Sequence, residues 1–268
     1  MEIRLVSSDL NGTLIQQHSM SDMIRLYLGQ HKFEQAQDVF QRQADGTATI
    51  EEAFAVAGPL TKGLRLRDAL EYTRAELKYM DGFIDFTREL QKRKIPLIIN
   101  STGYSITVYA IQAQHPTLIH GSIGNNLHFG LDGDVHSTLS EDELNRFVQE
   151  FFHTSSHDAR HYDRIRATGQ ITLGIKNEED KANELLDYAR TNFPSILPSE
   201  MVHLGDTMGD SGGIVGIARA GGLGIGFNYT SSLKEYLQGV ELVKGSIALI
   251  DPKGPHSNLK NIAAHLFY

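Results

Sequence analysis

Residues Ile3 to Leu14 read IRLVSSDLNGTL. Five residues of strand character, Ile3, Arg4, Leu5, Val6 and Ser7, run directly into Asp9, Asn11, Gly12 and Thr13, so an acidic side chain is expected where a strand ends and the backbone turns sharply. In an open parallel sheet, ligands bind beyond the carboxyl ends of the strands, where loop amides and side chains converge without sheet partners. A carboxylate there can attack an electrophile or hold a divalent cation. Whether other strands end the same way decides the fold.

Composition bounds the answer. A chain of 268 residues with a 40% hydrophobic fraction suits an ordinary globular protein with one large domain plus an insert. The formal charge of −8 argues against nucleic acid or an anionic membrane as partner, since both need clustered positive charge. A small molecule is the expected partner, and nothing in the sequence speaks to oligomeric state. With no cysteine there is neither a disulfide framework nor thiolate chemistry. No apolar run approaches the ~20 residues of a membrane span, and the first residues carry a strand pattern with Arg4 inside it instead of a signal-peptide core. A cytoplasmic protein is expected.

From Ser19 to about Met80 apolar residues recur at helical spacing with no strand pattern. Met23, Ile24, Tyr27 and Leu28 form one face; Phe33, Ala36, Val39 and Phe40 form another. Thr49 with Glu52 reads as a capping box opening a helix through Ala57, ended by Gly58-Pro59, and further helices are expected at Leu66 to Leu77 and Phe83 to Gln91. Ile95 to Asn100, IPLIIN, suits a strand buried on both faces. Ser101, Thr102 and Gly103 follow it, offering hydroxyls and a free glycine amide as an anion cradle ahead of a helix near Ser105. A short strand at Leu118 to His120 and a hairpin of Leu127–Phe129 with Val135-His136, turning at Asp132-Gly133-Asp134, come next. Helices at Glu141 to Phe152 and Asp158 to Ile165 precede a strand at Gln170 to Ile175. Lys181 opens the helix Lys181 to Thr191, against the usual preference for acidic residues there, so it wants an anion nearby. Met201 to Leu204 is a strand ending in GDTMGD, the second place where carboxylates stand at a strand end. Gly222 to Phe227 is a fifth strand, and a helix from about Asn258 closes the chain. The alternation argues for a doubly wound α/β core with a parallel sheet.

DxxGTL after the first strand, a serine after the second, a lysine at a helix start and GDxxxD after the fourth, in that order, resemble the haloacid dehalogenase (HAD) superfamily of phosphatases and phosphotransferases. The match covers nearly the whole chain. Each motif alone is weak, but four in order at strand ends are specific. The helical insert resembles the cap of phosphoserine-phosphatase-like members. The resemblance implies a Rossmann-like core of residues 1–18 and 80–268 and a small all-helical cap of residues 19–79. It also implies an Mg2+-dependent phosphatase of a small phosphorylated metabolite. Asp9 would be the nucleophile that takes the phosphoryl group, with Mg2+ held by Asp9, the backbone carbonyl of Asn11 and Asp206, and its waters oriented by Asp210. Ser101 and Lys181 would neutralise the phosphoryl oxygens, with Thr13, Thr102 and Gly103 as substrate-side donors. Hard oxygen ligands favour Mg2+ over zinc.

The sequence departs from the family at Asn11, where phosphatases carry a second aspartate as general acid and base. An amide can hydrogen-bond a leaving oxygen but cannot donate and retrieve a proton, help worth about 10²–10⁴-fold. Three readings stand: an engineered replacement, a natural member with slow or different chemistry, and a phospho-ligand binding or regulatory protein that has lost catalysis. Lys176, at a strand end, competes with Lys181 as the phosphate lysine. His153, His157 and His161, four apart, are read as solvated surface, Asp132 and Asp134 as a turn, and the glycines from Gly221 to Gly226 as tight packing. The segment TIEEAFAVAGPL, where phosphoserine phosphatases place a basic residue for the substrate carboxylate, offers only Ala55, Val56 and Ala57. A less charged leaving group such as a sugar, nucleoside or other alcohol is expected, with Lys62, Arg65 and Arg67 available to read a second anion.

Overall fold

The computed structural model describes residues 2–154, 159–242 and 245–268. At its centre lies β1 (Leu5–Ser8), fully buried, pairing in parallel with β2 (Leu97–Tyr104) on one side and β5 (Met201–Gly205) on the other. β3 (Gly121–Leu131) extends the sheet beyond β2, and β4 (Ile165–Thr172) closes that edge antiparallel to β3. Beyond β5 lie β6 (Leu223–Tyr229) and β7 (Ile247–Pro252), both parallel, giving the order β4-β3-β2-β1-β5-β6-β7. The sheet is a doubly wound α/β sheet with one antiparallel edge strand. Strand order reverses at β1, so the crevice at its carboxyl end is the topological switch point, where such sheets bind ligands.

Between β1 and β2 the chain forms α1 (Ser19–Leu28), α2 (Gln30–Ala44), α3 (Ile50–Leu60), α4 (Leu66–Ala75) and α5 (Phe83–Lys92). Each buries the residues that its spacing places on one stripe: Ala36, Val39 and Phe40 in α2, and Phe83, Phe86, Thr87 and Leu90 in α5. Thr49 and Glu52 make the expected capping box, Oγ accepting from Glu52 N at 3.1 Å and the carboxylate from Thr49 N at 2.9 Å. The helix runs on through Gly58-Pro59 to Leu60, because a proline in the last turn forfeits only one intrahelical bond. The apolar residues of α1 to α4 form one cluster with those of β3, β4, α6 (Ser105–Gln114), α7 (Glu141–His153) and α8 (Ala159–Arg164), so the insert shares a core with one end of the sheet.

Several expectations are corrected. Residues 118–120 are not a strand, and Val135–Ser137 is a 3-10 turn, so there is no 127–136 hairpin. The turn at Asp132-Gly133 is real, with φ of 51° and 79°, but β3 finds its antiparallel partner more than thirty residues on, in β4, where Leu131 pairs with Ile165. β4 begins five residues before the expected Gln170 and ends before Ile175, and β7 had no expectation. α9 (Asp180–Asn192), α10 (Ser211–Arg219), α11 (Ser231–Gly239) and α12 (Leu259–Phe267) complete the layers. Gly224 lies against α10, where a Cβ would stand 2.3 Å from the Ile214 carbonyl oxygen, so the glycine run is packing. His157 lies outside the described residues; His161 rests on the Phe147 ring. Among the described residues no helix is long and apolar enough to cross a membrane.

Candidate active site

β1 delivers Asp9 to the switch point. Its amide donates to the Leu204 carbonyl at 2.9 Å, continuing the ladder towards β5, and the Leu10 carbonyl then gathers the amides of Thr13, Leu14 and Ile15 into a tight turn. Gly12 sits in that turn at φ 77°, and a Cβ on it would stand 2.2 Å from Asp206 Oδ2. Only glycine meets both demands. On the neighbouring strand, β5 ends at Gly205 and presents Asp206, while the 3-10 turn Met208–Asp210 folds Asp210 back so that its Oδ2 accepts from the amides of Asp206 at 3.0 Å and Thr207 at 3.1 Å. The fourth group arrives with α9: the Asn100 amide on β2 donates to the Lys181 carbonyl at 2.7 Å, fixing the helix start against the sheet.

These side chains converge. Lys181 Nζ donates to Asp9 Oδ1 at 2.9 Å and to Asp210 Oδ1, and carboxylate oxygens of Asp9, Asp206 and Asp210 all lie within 4.8 Å of one another. All four residues are 6% exposed or less. Three carboxylates thus share one ammonium, and the electrostatics follow. Burial pushes Asp9 up to about 6, with Lys181 pulling against it. Burial raises Asp206 well above the usual carboxylate range, reinforced by the charges of Asp210 and Asp9. Burial would raise Asp210 as well, but Lys181 outweighs it and holds that carboxyl low. Asp206 Oδ1 is buried without a hydrogen-bond partner. A surplus of buried carboxylate oxygen, one of them unpartnered, fits a hard divalent cation and not a soft one.

A pocket of about 340 Å³ opens from this cluster. Its floor includes Asp9, Gly12, Lys181, Asp206 and Asp210; its opposite wall comes from α1 and α2. Asn11 joins the two. Its Oδ1 accepts from both the amide and the hydroxyl of Ser19, the first residue of α1, each at 2.8 Å. Because a backbone N–H can only donate, the amide orientation is set, and Nδ2 faces Gly103, 3.1 Å from where a Cβ would stand on that glycine. Nδ2, a donor, is therefore the end of the Asn11 amide not held by α1.

The expected residues divide. Asp9, Asn11, Thr102, Lys181, Asp206 and Asp210 all line the pocket. Ser101, expected to face the phosphoryl oxygens, is buried and absent from the pocket lining. The Gly103 amide is not free: it donates to Ser101 Oγ at 3.1 Å. Thr13 is fully buried, away from the pocket wall, its hydroxyl unpartnered. Lys181, not Lys176, meets the carboxylates; Lys176 is exposed and, among the described residues, only its backbone amide is engaged, by Asp180. Lys62, Arg65 and Arg67 are absent from the pocket; Arg65 pairs with Asp68 at 2.7 Å and Arg67 with Asp163 at 3.2 Å. The 49–60 segment turns Ala53, Phe54 and Ala57 into the shared core instead. Sequence reading missed Asn228, left-handed at φ 51°, whose Nδ2 donates to the Gly12 carbonyl at 2.6 Å while its Oδ1 accepts from Gly254 N and Ser257 Oγ. It also missed Lys253 at the pocket rim. Neither carries a local motif, since both act across more than 20 residues of sequence.

No family model and no curated protein matches the chain. Solved structures do. A phospho-aspartyl intermediate analogue of phosphoserine phosphatase aligns at TM-score 0.68 with 17% identity, covering 99% of this chain and 100% of the other. A substrate-bound phosphoserine phosphatase complex aligns at TM-score 0.68 with 16% identity, over 99% of each chain. A HAD family hydrolase from Salmonella enterica subsp. enterica serovar Typhi aligns at TM-score 0.64 with 16% identity, over 92% of this chain and 68% of that one. Superposition over nearly the full length at so low an identity speaks for the backbone alone: the chain shares the fold of these phosphoserine phosphatases and of this HAD family hydrolase.

Proposed function

We propose that this chain is an Mg2+-dependent phosphomonoesterase of a small phosphorylated metabolite, acting through an aspartyl phosphate on Asp9. One observation carries the reading: a buried lysine bridging two carboxylates at the switch point, with a third carboxylate within 4.8 Å and one oxygen unpartnered. Asp9, Asp206 and the Asn11 carbonyl would hold the ion, and Asp210 its waters; when bound it would supply positive charge against the phosphoryl oxygens. Asp9 attacks phosphorus as the bond to the leaving oxygen breaks. Lys181 keeps Asp9 aligned and offers a further N–H to the phosphoryl group. Water then releases phosphate from Asp9. In this reading residues 19–79 act as a cap whose α1–α2 wall excludes bulk water from residues 1–18 and 80–268.

Asn11 sets the rate. Its Nδ2 can hydrogen-bond the leaving oxygen but cannot protonate it, so esters with good leaving groups should be cleaved best. Asn11→Asp should rescue alkyl phosphates preferentially, by about 10²–10⁴-fold, equivalent to about 3–5 kcal/mol. Both substrate types are assayed on both proteins, with mass spectrometry of the motif peptide, since Asn-Gly pairs deamidate and could counterfeit activity. Equal rescue of the two types tells against Asn11 standing in the place of a proton donor. No rescue in a confirmed Asn11→Asp protein that still binds phosphate favours the binding or regulatory reading.

A further inference from the structure

The pocket wall supplied by α1 and α2 contains no lysine and no arginine. We propose that it selects a phosphate monoester whose leaving group is a neutral polyhydroxylated molecule of carbohydrate type, an inference that rests on the phosphatase reading above. Phe33, Gln37, Phe40 and Ala44 recur at helical spacing along the pocket side of α2, so aromatic and amide groups alternate on one stripe. Met20 from α1 adds to the apolar part, and Gln43 lies close enough to the loop below that a Cβ on Gly209 would stand 2.4 Å from its Nε2. That contact puts one amide beside the carboxylate cluster and leaves Gln37 two turns away along the wall. Neither side-chain amide has a hydrogen-bond partner among the described residues, whereas Gln41, on the same helix, is engaged by Asp45 at 3.0 Å. A free primary amide offers two donors and two acceptor lone pairs, matching hydroxyls that both donate and accept. Apolar rings beside such amides suit a molecule with a C–H face and a hydroxyl rim.

The charges of the α1–α2 wall disfavour the alternatives. An ammonium leaving group would need an unpaired carboxylate on this wall, but Asp22 is shared by Arg25 at 3.3 Å and the Tyr72 hydroxyl at 3.2 Å. A carboxylate or second phosphate would need a cation there, and none of the basic residues of α1 and α2 lines the pocket: Arg25 pairs with Asp22, Lys32 Nζ donates to the Leu60 carbonyl at 3.2 Å, and Arg42 lies off the lining, while Arg65 and Arg67 are paired with Asp68 and Asp163. Lys253, directly after β7, also lines the pocket, from the sheet side and not from this wall. A volume of about 340 Å³ is at the lower end of ligand sites and suits one sugar ring with its phosphate.

The test is calorimetric titration of the full chain in Mg2+ with inorganic phosphate, a hexose monophosphate, a hexose bisphosphate, O-phosphoserine and phosphoethanolamine. The hexose monophosphate should bind about tenfold more tightly than the other four. Gln37→Ala and Gln43→Ala should each weaken it by about three- to tenfold, the loss of one neutral hydrogen bond, and leave inorganic phosphate unchanged. Absence of inorganic phosphate binding would overturn the phosphatase reading itself. Phosphate binding without preference for the hexose ester, or with a charged ester preferred, overturns the present inference alone, as would glutamine variants that bind the hexose ester like the parent.

Discussion

Lys181 is the counter-charge of the whole site, and its removal is the sharpest test of the electrostatics described above. In Lys181→Met the hydrophobic stem survives, but Asp9 and Asp210 keep their burial and lose their shared ammonium. Removing one partner of a buried ion pair typically costs 3–5 kcal/mol, roughly, because the other charge is left uncompensated. Here one lysine serves two carboxylates beside a third, so the upper part of that range is expected, a fall in melting temperature of about 10 °C for a chain of this size. The loss should depend on pH in a definite direction. Without Lys181 the carboxyls titrate still higher than the raised value Asp9 already has, so the folded state binds more protons than the unfolded state, whose aspartates titrate near 3.8. Stability is then lost as pH rises through the folded value, and the gap between variant and parent should widen from pH 5 to pH 8. Saturating Mg2+ should narrow it, since a divalent ion among the three carboxylates replaces the missing charge. Urea unfolding at both pH values, with and without Mg2+, measures all of this. Arg190→Met, which breaks the exposed pair with Asp187, is the control and should cost under about 1 kcal/mol. A Lys181→Met loss as small as the control's, or one indifferent to pH and Mg2+, would refute the reasoning.

Three other outcomes follow from the geometry. Gly12→Ala adds a Cβ at φ 77° and 2.2 Å from Asp206 Oδ2, so it should cost about 1–2 kcal/mol of backbone strain and displace Asp206, weakening Mg2+ binding at least about tenfold by calorimetry; unchanged Mg2+ affinity would tell against Asp206 as a ligand. Asn228→Ala unpairs the Gly12 carbonyl and the Gly254 amide and leaves the Ser257 hydroxyl only its 3.3 Å bond to the Pro252 carbonyl, and should lower stability by about 2–3 kcal/mol with a larger loss of Mg2+ affinity than an exposed alanine substitution produces. His203 is fully buried beside Lys181, and burial drives its pKa down to about 3 from 6.5. Its unfolded state therefore binds the extra proton between those values, so the stability it confers is present above about pH 6.5 and falls as pH drops. The stability difference between parent and His203→Leu should change by about 2.5 kcal/mol between pH 7 and pH 4.5 in denaturant titrations, and a pH-independent difference would sink this account.

The chain's own letters settled the parts of the fold that depend on local pattern. Strand character running into Asp9, Asn11 and Gly12, the capping box at Thr49 and Glu52, the helix expected from Phe83 to Gln91, and Lys181 at a helix start each express a rule acting over about ten residues or fewer, and each appears close to where expected. The same locality explains the failures. The strands β4 and β7 lie at the two edges of the sheet, where one side lacks a strand partner; β7 shows no alternation of burial, and β4 alternates but carries Gly169 in its middle, so position in the sheet more than composition makes them strands. The 127–136 hairpin was a sound turn with the wrong partner, because pairing is chosen by the packing of the sheet edge and not by the turn.

At the site the division is the same. Residue order supplied Asp9, Lys181, Asp206 and Asp210 as candidates. Only the packed structure chose Lys181 over Lys176, because α9 turns one inward against the β2 end while the other stays in solvent. Only the structure moved Gly103 from free donor to partner of Ser101, gave Asn11 its orientation through Ser19, and replaced the 49–60 segment by α2 as the wall facing the ligand. Motifs record which groups a strand end carries; which way a helix face turns, and which buried charge meets which, is decided by burial energies summed over contacts far apart in the chain.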